Sequence, residues 1–230
     1  MNTENESFEI STLANAVSVN GMSLSNVSAI DGGTSGGDAI ITSEAVNADL
    51  TSNNNALVAS AINFTNINSA DLSQGALTGT DNTETFEVNG TNNAVTVNGI
   101  NLTAVSAVNA GSSADDVVTA AAGGSITADL TATDRQLSTS NITFNDVDTV
   151  KLGSGTLNGS ASADEVYLIN TTANALSVKG MQFESVAAVN SGAGSVDSIA
   201  TFGVAVDGQL TGENNQLVAS DIIFSDLSSA

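Results

Sequence analysis

Carboxylates are the main side chains of this sequence that could bind a metal ion, and the only ones that could exchange protons near neutral pH. The chain has 25 acidic residues, 3 basic residues, no histidine and no cysteine. Histidine and cysteine supply the ligands of most zinc, copper and iron sites, and the base or nucleophile of many covalent catalysts, so those chemistries are excluded. What remains is chemistry based on oxygen: acid–base catalysis by paired carboxylates, or calcium binding.

Three glycine- and serine-rich segments, residues 32–40, 110–118 and 191–199, contain the aspartates Asp38, Asp115 and Asp197. The first segment is a degenerate copy of the nonapeptide G-G-x-G-x-D-x-U-x, whose backbone carbonyls and aspartates bind calcium from successive turns. These aspartates are 77 and 82 residues apart, so neighbouring turns do not supply matching halves. We expect no dedicated cofactor, and calcium at these three aspartates is the one metal that the pattern allows. The alternative is a corner in which each aspartate bonds its own backbone.

Two pairs of adjacent carboxylates, Asp115–Asp116 and Asp164–Glu165, are the candidates for catalysis of sugar cleavage. Adjacent residues of a strand point to opposite faces of a sheet, so neither pair forms one site with two carboxylates. With 3 basic residues, the chain also offers little to hold an anionic sugar. The sequence therefore predicts a protein that is not an enzyme.

These acidic residues lie within a repeat of about 40 residues that occurs six times. Its clearest stretch reads Ala-Val-x-Val-Asn-Gly-Met-x-Leu, and apolar residues alternate with serine, threonine and asparagine throughout. Alternation with period two and frequent Gly/Asn corners predict short β-strands. The copies alternate between two types. We therefore predict one domain over residues 1–230, built from three units of about 80 residues (1–80, 81–160 and 161–230), each with two repeats.

Stacked repeats of short strands predict an all-β fold, a parallel β-helix or β-solenoid of stacked coils. We favour coils of about 20 residues, with about 40 as the alternative. Two ladders of equivalent residues should run along the rod. The apolar ladder is Leu24, Phe64, Leu102, Phe144, Phe183 and Phe224, and the polar ladder is Asn15, Asn55, Asn93, Asn174 and Asn215, with Arg135 as the exception. Asparagine suits a left-handed corner and can stack its amides, and the functional alternative is a flat ligand bound along the amides.

The formal net charge of −22 makes nucleic-acid binding and binding to anionic membranes unfavourable. No apolar run approaches the roughly 20 residues of a membrane-spanning helix, so we expect no membrane insertion. The N-terminus lacks the basic and then apolar pattern of a signal peptide.

In order along the chain, each repeat consists of an acidic residue, a short strand, the motifs Asn-Ala-Val-x-Val, Gly-Met/Ile-x-Phe/Leu and Val-x-x-Val, and a Gly/Ser/Asp corner. This pattern resembles the repeat regions of very large secreted bacterial proteins: filamentous-haemagglutinin-like and calcium-nonapeptide-type adhesins and surface-layer proteins. The chain departs from them in its incomplete nonapeptide glycines and in having no visible secretion domain. The resemblance implies a bacterial protein outside the cell or on its surface, with a structural or adhesive role.

The chain begins and ends at nearly the same phase of the repeat, since residues 224–230 match the segment that starts at Phe64 and residues 1–10 match the segment around Phe86. It is therefore either an excerpt of a longer array or a subunit that stacks. Our leading hypothesis is a non-catalytic structural module of an extracellular filament, stalk or surface layer. Its partners would be other copies of itself, or neighbouring repeats of a longer chain, joined head to tail. The alternative is an adhesin segment that binds a glycan or a surface through a side face, with or without calcium.

Overall fold

The computed structural model describes residues 4–34, 36–192, 196–201 and 203–227. The described chain contains strands and no helix, and its stacked coils form a β-solenoid of about 7 turns, which confirms the predicted fold class. The first strands are β1 (Ser7–Ile10), β2 (Ala16–Val19), β3 (Met22–Ser25), β4 (Ala29–Asp31), β5 (Ala39–Thr42), β6 (Ala48–Leu50), β7 (Leu57–Ala59), β8 (Ile62–Thr65), β9 (Ser69–Asp71), β10 (Ala76–Thr78), β11 (Thr85–Val88), β12 (Val95–Val97) and β13 (Ile100–Thr103). The others are β14 (Ala107–Asn109), β15 (Val117–Ala120), β16 (Ala128–Leu130), β17 (Gln136–Thr139), β18 (Ile142–Asn145), β19 (Thr149–Asn158), β20 (Val166–Ile169), β21 (Leu176–Val178), β22 (Met181–Asn190), β23 (Ser198–Thr201), β24 (Gly208–Leu210), β25 (Leu217–Ala219) and β26 (Ile222–Ser225).

Backbone pairing arranges the strands in two stacks. Stack I runs in the order β3, β2, β1, β5, β9, β13, β12, β11, β15, the first half of β19, the first half of β22, β21, β20 and β23. Stack II runs in the order β4, β8, β7, β6, β10, β14, β18, β17, β16, the second half of β19, the second half of β22, β26, β25 and β24. The strands β19 and β22 pass from one stack to the other.

The two stacks pack face to face around one apolar core, because alternate side chains of each strand point inward. Aromatic rings meet across the core at three levels. The ring centroids of Phe8 and Phe64 are 6.1 Å apart, those of Phe86 and Phe144 are 6.2 Å apart, and those of Tyr167 and Phe224 are 6.1 Å apart. Each of these contacts joins a strand of stack I to a strand of stack II.

The turn of the solenoid is neither of the two lengths expected from the sequence. Residues that pair in parallel are between 29 and 36 positions apart, from Ala48 with Leu77 to Ala107 with Thr143. Many pairs are 32 apart, such as Phe8 with Ile40. The prediction of about 20 residues per coil, and its alternative of about 40, were therefore wrong. The length of the sequence repeat and the length of the structural turn differ.

The repeat is longer than the turn because each repeat contains an antiparallel meander of three strands. In the first repeat, β1, β2 and β3 are successive antiparallel neighbours. The hairpin between β2 and β3 has two turn residues, Asn20 (φ 50°) and Gly21 (φ 76°), which is a type I′ turn. The signal was present, because Asn-Gly between alternating apolar residues marks such a hairpin. Sequence analysis interpreted it as a solenoid corner instead.

The chain reaches ahead and then folds back at every meander. From β10 in stack II it enters stack I at β11, three strands beyond β9 in the order of that stack. The strands β12 and β13 then return and fill the gap, so that β13 pairs with β9. Each meander thereby fills the gap with its own second and third strands. Strands that are neighbours in space are often not neighbours in the sequence.

Relief of backbone strain at one hairpin turn should stabilise the protein. Ala61 has φ 61°, a left-handed conformation that costs an alanine roughly 1–2 kcal/mol. We expect Ala61→Gly to raise the free energy of unfolding by about 0.5–1 kcal/mol, measured by urea denaturation. The control is Ala59→Gly in the neighbouring strand, which loses a buried methyl group and should destabilise the protein. Destabilisation by both variants would contradict the inference that the backbone at Ala61 is strained.

Candidate functional site

Buried carboxylates at the corners of stack I form three equivalent pairs. The backbone N–H of Glu6 donates to Asp38 Oδ1 at 2.8 Å, that of Glu84 to Asp116 Oδ1 at 2.8 Å, and that of Glu165 to Asp197 Oδ1 at 2.9 Å. In each pair the partners are 32 residues apart, which is one turn of the solenoid. All six residues are buried. The aspartate therefore bonds the backbone of the adjacent turn.

The predicted calcium residues occupy this arrangement only in part. Asp38 and Asp197 each belong to a pair, whereas Asp115 is exposed and the equivalent buried position is held by Asp116. Residue 35 and residues 193–195 of the glycine-rich segments lie outside the described residues. Within the described residues, no group of three or more acidic side chains could hold a metal ion. Calcium binding at these corners stays a prediction.

Sequence analysis did not single out Glu6 and Glu84, and it considered Glu165 only beside its neighbour Asp164 and not with Asp197. Each of the three glutamates precedes a buried aromatic residue by two positions: Phe8, Phe86 and Tyr167 respectively. That spacing was a usable signal, because residues two apart in a strand share a face. The aromatic side chains point into the core, so the glutamates two positions earlier also had to point inward.

Burial raises the pKa of two of these carboxyl groups. The pKa of Glu165 rises to about 7, first because of burial and then because of the charge of Asp197, while Lys179 lowers it. The pKa of Asp116 rises to about 6, again mainly through burial, and the charges of Glu84 and Asp148 add to the effect. Burial also raises the pKa of Tyr167. The folded state therefore holds protons that the unfolded state releases.

This difference predicts that the protein loses stability as pH rises. The ordinary pKa values are 4.5 for the glutamate and 3.8 for the aspartate, so the extra protonation of the folded state stabilises it fully below about pH 4. The stabilisation is lost between about pH 4 and pH 7 as these groups ionise. We expect Glu165→Gln to raise the melting temperature at pH 8, by the equivalent of about 1–2 kcal/mol, and to flatten the pH dependence.

The matched control is Glu213→Gln, which removes a charge from an exposed position. It measures how much of the pH dependence comes from the overall negative charge alone. An equal gain at pH 8 from the two variants would contradict a special role for the buried carboxyl group.

The predicted asparagine ladder lies at the first turn of each meander, and these residues do adopt left-handed φ values between 55° and 58°. They do not stack on one another, because successive repeats place them in opposite stacks. Asn93 is typical. Its backbone N–H donates to the Ser140 carbonyl at 2.7 Å, and its Nδ2 donates to the carbonyls of Val105 at 2.9 Å and Asn141 at 3.0 Å. Asn93 thus binds the hairpin turn of the next repeat.

Asn15, Asn55 and Asn174 make the same contacts to residues 60–61, 98–99 and 220–221 of the following hairpins. Asn215 lies in the sixth repeat, and its carbonyl accepts the N–H of Leu227 at 3.3 Å. The contacts of four asparagines are to backbone carbonyls of the following repeat, so the described structure gives Asn15, Asn55, Asn93 and Asn174 a role in joining repeats. We call them the asparagine clamps.

Arg135 takes the clamp position in the fourth repeat for an electrostatic reason. Its Nη2 lies 2.9 Å from Asp148 Oδ1, and Asp148 in turn accepts the N–H of Asp116 at 3.1 Å. In the preceding unit the residue equivalent to Asp148 is the neutral Asn68, which accepts the N–H of Asp38 at 3.3 Å. Asp148 is the third carboxylate in the row that contains Glu84 and Asp116, and it has the guanidinium of Arg135 beside it.

Removal of one clamp should weaken the contact between two repeats. Asn93→Ala deletes two side-chain hydrogen bonds and leaves a left-handed alanine, so we expect a loss of about 2–3 kcal/mol in the free energy of unfolding. The control is Asn92→Ala at the adjacent exposed position, which should change that free energy by less than about 0.5 kcal/mol. Both values can be measured by chemical denaturation. Equal losses of unfolding free energy in the two variants would contradict the role of Asn93 in joining repeats.

The predicted apolar ladder is buried at five of its six positions. Phe64, Leu102, Phe144, Phe183 and Phe224 are at most 1% exposed, whereas Leu24 is 44% exposed. The ladder is also divided between the stacks, with Leu24, Leu102 and Phe183 in stack I and the other three in stack II. Leu24 differs because it lies on β3, the outermost strand of stack I. Its neighbour Met22 is exposed for the same reason.

The opposite end of the solenoid also exposes apolar residues whose equivalents in other repeats are buried. Leu210 on β24, the outermost strand of stack II, is 88% exposed, although its equivalents Leu50 and Leu130 are buried. Ile199 on β23 is half-buried, while Ile40 and Val118 at the equivalent position are buried. We call the two surfaces the β3/β4 end and the β23/β24 end. Both expose inward-facing apolar residues that an additional strand would cover.

No protein-family model matches the chain, and no curated protein or solved structure is detectably similar to it. The described residues include no helix of the length and apolar character needed to cross a membrane.

Proposed function

We propose that this protein is a non-catalytic structural module of a bacterial extracellular filament, stalk or surface layer, in which copies or neighbouring repeats stack head to tail. The observation that carries the proposal is the exposure of core residues at both ends. Leu24 and Leu210 occupy positions that are buried wherever another strand follows. Exposed strand edges that are apolar favour pairing with a further strand.

The charge of the protein supports end-to-end rather than side-to-side contact. With a net charge of −22, the long side faces of two rods repel each other. The three basic residues, Arg135, Lys151 and Lys179, each lie near an acidic residue of the same chain. The ends combine apolar side chains with open backbone edges. A contact at the ends gains more from burial than one at the sides.

The secreted bacterial setting comes from the resemblance of the repeat pattern to those adhesins and surface-layer proteins. A rod suits such a place because it needs no cofactor and no disulfide, since its core is continuous along its whole length. The competing function is that of an adhesin segment that binds a glycan through a side face. A rise in melting temperature on addition of a glycan would favour that function.

The test is a substitution on the open edge. Leu24→Asp places a charge on a residue that is already 44% exposed, so the monomer should keep its melting temperature within about 2 °C. We expect wild-type protein at 0.15 M salt to form filaments of constant width as concentration rises, and the variant to remain as single rods, both seen by negative-stain electron microscopy. The matched control is Ser23→Asp, which adds the same charge on the outward face of β3 and should still form filaments.

The same grids with millimolar calcium and with a chelator separate the role of the metal from that of the ends. Filaments under both conditions support assembly without calcium. Single short rods at all concentrations, with or without calcium, would contradict head-to-tail stacking of this chain.

A further inference from the structure

We propose that one extended segment of another polypeptide completes the joint between two copies, by pairing with β3 and β4 of one copy and with β23 and β24 of the other. Its chemistry is that of residues 149–159, which include β19. Within the described residues every strand already has a place in one of the two stacks, so the segment is not one of these strands. This inference rests on the proposed head-to-tail function and specifies what the joint contains.

The order of strands in stack I shows that the joint needs one more strand. Two single strands separate successive meanders: β5 and β9 follow the first meander, and β15 and the first half of β19 follow the second. Within the described residues, β23 alone follows the third meander. If the next copy begins with β3, one strand of the β9 type is therefore absent between β23 and β3.

Stack II needs one more strand at the same level. There β10 and β14 separate the first two meanders, and the second halves of β19 and β22 separate the second meander from the third. The strand β4 is of the β14 type, because each pairs with the third strand of the meander that follows it. The described part of the stack ends at β24. One strand of the β10 type is therefore absent between β24 and β4 of the next copy.

A single segment can fill both places. The strands β9 and β10 follow each other along the chain, and β19 takes the same two places as one strand of 10 residues. The first half of β19 pairs with β15 and β22, and its second half pairs with β16 and β22. A segment of this length therefore reaches from stack I to stack II and pairs on both sides.

The rows of inward side chains define the register of the segment in stack I. Val150 of β19 pairs with Val118 on one side and with Phe183 on the other. The corresponding residues at the joint are Ile199 of one copy and Leu24 of the next. The residue of the segment that corresponds to Val150 therefore lies between Ile199 and Leu24.

The register in stack II follows from a second row. Leu157 of β19 pairs with Ala128 on one side and with Val189 on the other. The corresponding residues at the joint are Gly208 of one copy and Ile30 of the next. The segment therefore places a leucine between Gly208 and Ile30.

Burial of apolar surface favours this joint. Val150, Leu152 and Leu157 are fully buried inside the solenoid, so the corresponding side chains of the segment would be covered by the two copies. The segment would in turn cover the exposed side chains of Leu24 on one copy and Leu210 on the other. Direct contact of the two copies would leave a gap of one strand in each stack.

Charge favours the sequence of β19 over that of β9 and β10. Residues 149–159 contain one lysine and no acidic residue, whereas the equivalent residues 69–79 contain one aspartate and no basic residue. Asp31 and Asp207 add negative charge close to the joint. A rod with a net charge of −22 attracts the first segment and repels the second.

A glycine of the segment distinguishes the two ends. A Cβ added at Gly155 would overlap the carbonyl oxygen of Ile126, and a Cβ added at Gly75 would overlap that of Val46. The residue that corresponds to Ile126 and Val46 at the joint is Val206, which belongs to the β23/β24 end. A segment with alanine in place of this glycine should still pair with β3 and β4 but should not fit against β24.

The register can be tested with a synthetic peptide of residues 149–159, capped at both termini, because the native chain has no cysteine. The row that contains Thr149 and Gln182 places residue 149 of the peptide beside Ser23. We expect the Thr149→Cys peptide to form a disulfide with Ser23→Cys protein under mild oxidation, with about ten times more product on a non-reducing gel than the control.

The control is Ser25→Cys protein with the same peptide. Ser25 lies on the same face of β3 but two residues further along, which separates its Cα atom from that of residue 149 by about 8 Å, beyond the reach of a disulfide. Equal crosslinking of the two protein variants would overturn the register. Absence of crosslinking in both would overturn the inference.

Electron microscopy of wild-type protein tests whether the segment joins two copies. We expect an excess of the unmodified peptide to lower the protein concentration at which filaments appear by about tenfold, because each strand edge is then paired. The Leu157→Asp peptide should have no effect. The Gly155→Ala peptide that also carries Thr149→Cys should crosslink to Ser23→Cys protein, yet should not promote filaments. Promotion of filaments by Gly155→Ala would overturn the assigned contact with the β23/β24 end.

The two readouts distinguish this inference from the proposed function. Filaments of protein alone that the peptide neither promotes nor joins covalently would refute the inference and leave head-to-tail stacking intact. Crosslinking to Ser23 without filaments under any condition would refute head-to-tail stacking and support the strand site on β3 and β4. Crosslinking that depends on position, together with filaments that the peptide promotes, would support both.

Discussion

Backbone pairing between strands one level apart is the constraint on which the other features of this molecule depend. Paired strands are about 4.8 Å apart, so side chains at equivalent positions touch in rows along the solenoid. A row can hold apolar groups, such as Val118, Val150 and Phe183, or polar groups, such as Glu84, Asp116 and Asp148. A residue at the end of a row is exposed even when its type suits the core. The sequence contains no cysteine, so no disulfide links one level to another.

The path of the chain makes neighbouring repeats depend on one another. Each meander reaches past a gap that its own second and third strands fill, and each asparagine clamp binds the hairpin turn of the following repeat. Because these contacts join segments more than 40 residues apart, as from Asn15 to Ala61, repeats cannot separate without loss of hydrogen bonds. This differs from a simple solenoid, in which a coil contacts only the coils before and after it. A rod built in this way resists local opening.

The distribution of charge has two opposing consequences. The acidic side faces of two rods repel each other, which is compatible with the end-to-end association that we propose. Three pairs of carboxyl groups are nevertheless buried at the corners of stack I, where the aspartate of each pair accepts a backbone N–H of the adjacent turn. Burial of a carboxylate is unfavourable, so Glu165 and Asp116 hold their protons at higher pH than usual. Arg135 lies beside the row that contains three carboxyl groups.

The sequence by itself determined that the chain is all-β, repetitive and stacked, because alternation with period two and spacing of like residues are local properties. It also indicated which residue types face inward, such as Phe64 and Phe144, and that the asparagines adopt left-handed corners. It did not determine the turn of about 32 residues, since that length depends on how far the chain advances between levels. The Asn20–Gly21 hairpin was readable in the sequence but was interpreted as a corner.

Only the tertiary structure decided which residues meet. Glu84 and Asp116 are 32 positions apart and come together because β11 and β15 pair, and a shift of one position separated Asp116 from the expected Asp115. Leu24 and Phe183 have the same place in the repeat, yet one is exposed and the other buried, because β3 ends a stack and β22 does not. Local pattern fixes the side of a strand on which a residue lies. Its neighbours depend on pairing between distant segments, which no local pattern encodes.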